Sequence, residues 1–392
     1  MARITIEKEG RIALPEDYKQ RYGLEGGEEL VFEPVEDGLA LRFARPHARR
    51  AYVEVTARCN LNCAMCVRQV WRDAPGEMSW ETFKIVIEGL RAFPDLRRIT
   101  FGGFGEPLTH PRFPEMLSLA AGLEVGMTLT TNGLVLDEAM AERLLDVHLD
   151  TVVISLDTVH IQAYEQARLE KGVEQVLENV RALRELARQR GWMIPRIGLE
   201  FVAMHSNLEW VPRLPGLARD LGASFVLITN LLPHTLEMAE EVLYDRDEPL
   251  PTPIGWPVPS ADWLLWGIAR PPRMKWGAWR RCRFIEERAL VIGWDGGVSP
   301  CYALMHSYPY YIYGRRKEVS RYMLGNVREQ PLADIWTSDE YVSFRGKVRE
   351  MRFPSCVDCG MACTFAEDNE DCWGNGPSCA DCLWAQDIVR CP

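Results

Sequence analysis

No run of about 18 consecutive apolar residues occurs in this chain, so nothing in it reads as a membrane-spanning helix. The opening MARITIEKEGR has no apolar core of the kind a secretory signal needs, and a cytoplasmic location is expected. Positive charge is not in excess either. With 45 Lys and Arg against 56 Asp and Glu, the net charge is −11, which argues against a broad nucleic-acid surface. A reducing compartment leaves little place for structural disulfides, so the 12 cysteines are expected to be metal ligands. What remains is an ordinary globular composition, 47% hydrophobic and 26% charged. Its 392 residues are enough for two or three domains with real cores.

Three of the cysteines, Cys59, Cys63 and Cys66, share the short run CNLNCAMC, directly after the apolar, β-prone stretch Ala51 to Val55. Thiolates spaced C-x3-C-x2-C can wrap one corner of an iron–sulfur cube. Three ligands for four irons leave one iron open, and an open metal position marks chemistry rather than scaffolding. The competing readings are a zinc site or three unrelated buried cysteines, but zinc usually takes four ligands, often as paired C-x2-C units. The loop resembles the signature of the radical S-adenosylmethionine (SAM) enzymes. That resemblance implies a [4Fe-4S] cluster whose open iron chelates the amino and carboxylate groups of SAM. It also implies reductive cleavage of SAM to a 5′-deoxyadenosyl radical, which abstracts hydrogen from a substrate.

The chain divides into four parts. Residues 1–45 read as a strand (Arg3 to Glu7), a short helix opened by Arg11 to Pro15, and a hairpin (Glu29 to Val35, Leu39 to Phe43). The phrase KEGRIALPEDYKQRYGLEGGEEL resembles the swapped-hairpin, AbrB-like domain, which implies dimerisation and often DNA binding. Residues 50–230 alternate strands (51–56, 98–102, 126–131, 151–156, 197–203, 224–229) with helical patterns (79–92, 137–147, 160–190, 208–221). Six such units suggest an α/β fold, a partial (β/α)6 TIM-type barrel, whose active site sits at the C-terminal ends of the strands. The cysteine loop falls there. Residues 231–281 form a connector with eight prolines and five tryptophans, either a substrate-facing wall or a strap over the barrel mouth. Residues 282–392 hold the other nine cysteines and suggest a small domain held together by metals.

The barrel carries further family-like motifs. Phe101 to Pro107 (FGGFGEP) resembles the GGE motif, which implies that Gly103 and Glu106 contact the amino group of SAM. Thr131 and Asn132 end the third strand, while Ser155 and Asp157 end the fourth and point the same way. Polar residues there touch the SAM ribose and carboxylate in the family; alone, Ser155 and Asp157 would read as a turn cap. Glu200 is a further inward candidate, with an ion pair to Arg196 as its plainer reading. Met65 stands where the family often has an aromatic against adenine, which would replace stacking by sulfur–ring packing.

The C-terminal part resembles the SPASM extension of radical SAM maturases. The resemblance rests on Cys282, Gly296-x4-Cys301, Gly325-Asn326-Val327, Leu332 to Trp336, Tyr341, Phe344-Arg345 and Cys356-x2-Cys359. It implies one or two auxiliary [4Fe-4S] clusters, with Cys282 and Cys301 on the first and Cys356 and Cys359 on the second. Cys363, Cys372, Cys379, Cys382 and Cys391 follow at a departing spacing, so their assignment stays open, with eight ligands and one cysteine left over. Zinc ribbons built from the C-x2-C pairs are the alternative. The run Tyr308 to Lys317 reads as a substrate or partner surface, or as a hairpin with solvated charges.

The whole arrangement, ending in CADCLWAQDIVRCP, resembles the radical SAM maturases of tungsten-cofactor oxidoreductases. This implies a tungsten or molybdenum pterin enzyme of the aldehyde:ferredoxin oxidoreductase type, or its cofactor, as the target. A low-potential donor such as ferredoxin and a homodimer through residues 1–45 are implied partners. A peptide maturase forming thioether or carbon–carbon links is the alternative. A redox-sensing DNA-binding regulator is a third reading, weakened by ten acidic against seven basic residues in 1–45.

Overall fold

A computed structural model describes residues 12–22, 24, 30–35, 38–43, 46–156, 172–245, 279–312, 315–356, 359 and 368–391. The expected strand at Arg3 to Glu7, Asp157, Cys363 and most of the tryptophan-rich connector lie outside the described residues. Near the N-terminus a helix, α1 (Glu16–Tyr22), precedes an antiparallel hairpin of β1 (Leu30–Val35) and β2 (Gly38–Phe43).

The six expected parallel strands are present. They are β3 (Arg50–Val53), β4 (Arg98–Phe101), β5 (Gly126–Thr131), β6 (Thr151–Ser155), β7 (Arg196–Ala203) and β8 (Phe225–Asn230). Each is parallel to the next. The helices between them are α2 (Trp80–Leu90), α3 (Phe113–Ala121), α4 (Glu138–Asp146), α5 (Val173–Gln189) and α6 (Leu214–Leu221). Their apolar faces follow the helical repeat: α2 buries Phe83, Val86, Ile87 and Leu90 against the sheet. The caps are local: Ser79 accepts a hydrogen bond from the Thr82 N–H, and Asp137 one from Met140. Strands buried on both sides read as nearly continuous apolar runs, with Val53, Ile99, Phe101, Leu129, Val152 and Ile154 in one core.

The C-terminal region is not a detached domain. Its first strand, β9 (Ala289–Ile292), adds to the barrel sheet parallel to β3, and β10 (Val298–Ser299) pairs antiparallel with β9. The sheet therefore has eight strands in the order β10-β9-β3-β4-β5-β6-β7-β8. Trp336, fully buried, seals the same junction by packing on Phe93 and Tyr341 beneath the Arg345 guanidinium. At the other edge the tail covers β8: the Asn230 N–H reaches the Ile388 carbonyl at 3.2 Å, and the Arg390 N–H reaches Thr229 Oγ1 at 2.8 Å. The end of an open strand edge is thereby covered by the chain itself. Among the described residues no helix is long and apolar enough to cross a membrane.

Candidate iron–sulfur and SAM site

The cysteine loop leaves the C-terminal end of β3 and is tied down by its neighbours. Arg68 donates to the Ala57 and Leu61 carbonyls, and the Cys66 N–H to the Cys63 carbonyl at 3.0 Å. The three thiols are unbridged and half-buried. Burial pushes the Cys59 thiol above its usual range, partly offset by the Leu61 N–H and by Arg68. Cys59, Cys63 and Cys66 line one cavity of ≈ 280 Å³, together with Gly103, Thr131 and Ser155. Three unbridged thiols on one cavity are a donor set that fits a cluster with an open corner. Among the described residues no three His, Cys, Asp or Glu side chains converge as they would on a single ion.

The glycine-rich turn after β4 owes its composition to close approach. A Cβ on Gly105 would lie 2.1 Å from the Thr56 carbonyl oxygen, and Gly103, at φ 125°, would meet Glu54 at 2.8 Å. The turn thus presses on the cysteine loop, and the Glu106 N–H donates to the Arg58 carbonyl at 2.8 Å. Glu106, only 2% exposed, is engaged by the protein. Its Oε1 accepts from Thr131 Oγ1 at 2.7 Å and Leu108 N at 3.0 Å, and its Oε2 from Asn132 N at 2.7 Å. Asn132 in turn donates to Asn60 Oδ1 at 2.8 Å and lies 3.8 Å from Cys59 Sγ. Glu106 therefore links the ends of β4 and β5 to the cysteine loop while also lining the cavity. Ser155 and Glu200 stand opposite one another in register on β6 and β7, and both face the cavity. Met65 lines it too.

Four C-terminal cysteines gather: Cys282 and Cys301, the pair that the resemblance places together, stand with Cys379 and Cys382. Cys379 is buried and Cys282, Cys301 and Cys382 are half-buried, and burial holds each thiol above its usual range. The Cys282 thiol is pushed up to about 12, by burial first and then by the nearby Cys382. Cys301 and Cys379 are raised further by the charge of the other members of the group. Cys301, Cys379 and Cys382 face a small cavity walled by Tyr308, Tyr310 and Lys317. These belong to a hairpin of β11 (Tyr308–Ile312) and β12 (Arg315–Val319). Lys317 is not solvated: it is 3% exposed and ion-paired to Asp381. Cys359 and Cys372 are exposed and Cys356 half-buried. Cys391 stands elsewhere, lining the barrel cavity with Cys59, Cys63 and Cys66 and accepting a hydrogen bond from Trp384 Nε1 at 3.1 Å.

Several residues at the site escaped the sequence reading. Glu54, 0% exposed just after β3, accepts from the Phe104 N–H at 3.2 Å and pairs with His306 Nε2 at 2.9 Å. His306 stacks on Trp71 at 3.8 Å, with Asp73 3.7 Å from its Nδ1. This cluster bolts the cysteine loop to the C-terminal region. A glutamate inside the otherwise apolar Tyr52-Val53-Glu54-Val55 was its only sequence signal.

Comparison with known proteins agrees with this geometry. The profile of the radical SAM superfamily matches residues 53–197, and that of SPASM, an iron–sulfur cluster-binding domain, matches residues 282–360. The tungsten-containing aldehyde ferredoxin oxidoreductase cofactor-modifying protein of Pyrococcus furiosus is 38% identical over 352 residues, covering 87% of this chain and 96% of the relative. A PqqA peptide cyclase of Granulibacter bethesdensis is 26% identical over 310 residues, 75% of each chain. The fold is shared with Streptococcus suis SuiB, crystallised with S-adenosylmethionine, at TM-score 0.54 and 15% identity over 80% of this chain and 71% of that one. Matched by both profiles and by a 38% identical relative along nearly its whole length, this chain belongs to the radical SAM superfamily, as a SAM-dependent iron–sulfur enzyme with a C-terminal SPASM domain.

Proposed function

We propose that Cys59, Cys63 and Cys66 hold the SAM-binding [4Fe-4S] cluster, and that the enzyme matures a tungsten or molybdenum pterin oxidoreductase or its cofactor. When bound, such a cluster supplies the electron that splits SAM into methionine and a 5′-deoxyadenosyl radical. The chain's own residues hold and shape the site. Gly103, Thr131, Asn132 and Ser155 form the SAM-facing wall, Asp157, outside the described residues, is a further SAM contact in this reading, and Glu106 keeps Asn132 against the cysteine loop. Cys282, Cys301, Cys379 and Cys382 would hold one auxiliary cluster, leaving Cys356, Cys359, Cys363 and Cys372 for a second. A ferredoxin-like donor and a homodimer through an AbrB-like segment at residues 1–45 complete the reading.

The meeting of three unbridged thiols and the polar strand ends in one cavity carries the chemistry. The 38% identity to the cofactor-modifying protein carries the target. The likeness to a PqqA peptide cyclase supports a second reading, modification of a precursor peptide. The two separate in one experiment. Reduced enzyme and SAM are incubated with an inactive tungsten oxidoreductase, or with a peptide encoded beside the gene. Gain of oxidoreductase activity supports the first target. A mass change confined to the peptide replaces it with the second.

A further inference from the structure

The barrel has a second cavity, of ≈ 270 Å³, at the end opposite the cysteine loop. Alternation along the strands explains it. The inward positions that start β3, β4, β5, β6 and β7 line this cavity, and those that end β5, β6 and β7 line the first. Trp384, Val389, Arg390 and Cys391 of the tail stand between the two and border both.

Its chemistry is unlike the rest of the protein. On a chain of net charge −11, five guanidinium groups (Arg50, Arg98, Arg196, Arg283 and Arg390) face this cavity against two carboxylates. Glu287 pairs with Arg50 at 2.5 Å, and Asp387 with Arg390 at 2.6 Å and Arg283 at 3.5 Å. Arg98 and Arg196 have no ion pair among the described residues. In register beside them, Thr100, Thr128 and Thr151 form a row across β4, β5 and β6, with Arg196 next to Thr151. The Thr128 and Thr151 side chains are 4% and 2% exposed, and neither hydroxyl has a hydrogen-bond partner. Buried hydroxyls are nearly always satisfied, so two orphans beside two uncompensated guanidinium groups point to an absent acceptor. An anion offering several oxygens would answer the hydroxyls and the guanidinium groups together. Planar guanidinium forks and hydroxyl donors match a phosphate group. The remaining wall, from Tyr52, Phe225, Phe284 and Trp384, is apolar and aromatic and has room for an organic carrier.

We propose that this cavity binds a phosphate group. The inference does not rest on the radical SAM assignment. It is tested by isothermal titration of the full-length, cluster-loaded protein with inorganic phosphate at low ionic strength. Saturable binding is expected, weakening as salt is added. Arg196→Gln, at an exposed position, should weaken it about tenfold or more, and Thr128→Val/Thr151→Val by a similar factor. SAM affinity of both variants should match the wild type, which shows that the barrel is intact. Competition with glycerol 3-phosphate tells the source. Tighter binding of the monoester means a phosphorylated ligand, and weaker binding means the free ion; either supports a phosphate site. No saturable binding by the wild type, or equal binding by Arg196→Gln and the double valine variant, would mean that water alone fills the cavity and would overturn the proposal.

Discussion

Replacing Glu106 by glutamine changes one atom in a buried carboxylate that accepts three hydrogen bonds. The amide keeps a single acceptor oxygen. If that oxygen takes the Oε1 place, it keeps Thr131 and Leu108, but the new NH2 faces the Asn132 N–H, donor against donor. The flipped amide fares worse, because its NH2 then meets the Leu108 N–H and a Thr131 hydroxyl whose oxygen already accepts from Gly133 at 3.0 Å. The milder arrangement loses one charge-assisted bond and orphans one buried N–H, together about 3 kcal/mol or more. The strain falls on Asn132, which holds Asn60 and approaches Cys59. Anaerobic denaturation of the cluster-loaded protein should therefore show an earlier midpoint, and SAM should bind more weakly. A positioning role makes a further demand. Thr131→Val, which removes one of the bonds to Glu106, should reproduce part of the SAM loss, and the double variant should lose less than the sum. If Glu106→Gln keeps its stability within about 0.5 kcal/mol, the hydrogen-bond reasoning is wrong. If Thr131→Val leaves SAM affinity untouched while Glu106→Gln loses it, Glu106 acts on the cofactor directly.

Two other perturbations follow from the packing. Cys382→Ser should lower the iron content and the auxiliary spectroscopic signal while SAM cleavage activity persists; loss of the iron at the SAM site instead would contradict the grouping of Cys282, Cys301, Cys379 and Cys382. His306→Ala leaves the fully buried Glu54 with the Phe104 N–H as its remaining partner in the cluster, at a cost of about 3 kcal/mol. Glu54→Gln/His306→Ala should recover part of that loss in denaturant unfolding, and a strictly additive double variant would show that the pair is not coupled.

The barrel was legible because its signals are local. Each parallel strand is a short apolar run, and each helix repeats its apolar residues every three or four positions, so β3 to β8 fall where the sequence places them. The cysteine loop was legible for the same reason, its spacing being contained within eight residues. What escaped was long-range. Nothing in Ala289–Ile292 says that it pairs with Arg50–Val53, some 240 residues earlier in the chain. Nor does spacing reveal that Cys282 and Cys301 join Cys379 and Cys382 rather than a nearer pair, because the hairpin of Tyr308 and Tyr310 walls that group in three dimensions. Cys391 was read as one more ligand. Its place depends on the tail following the edge of β8 into the barrel, a path set by Thr229 and Asn230. Glu106 was read as a cofactor contact from its local motif; its hydrogen bonds from Thr131 and Asn132, 25 and 26 residues away, are long-range and were not legible.

The most direct measurement is 5′-deoxyadenosine release from SAM by the anaerobically purified, chemically reduced protein, beside its Cys63→Ala variant. The wild type is predicted to release it, and the variant to release none while retaining auxiliary iron. Release by Cys63→Ala equal to the wild type, or a wild type that carries zinc and no iron, would contradict the assignment of Cys59, Cys63 and Cys66 as the site of radical initiation.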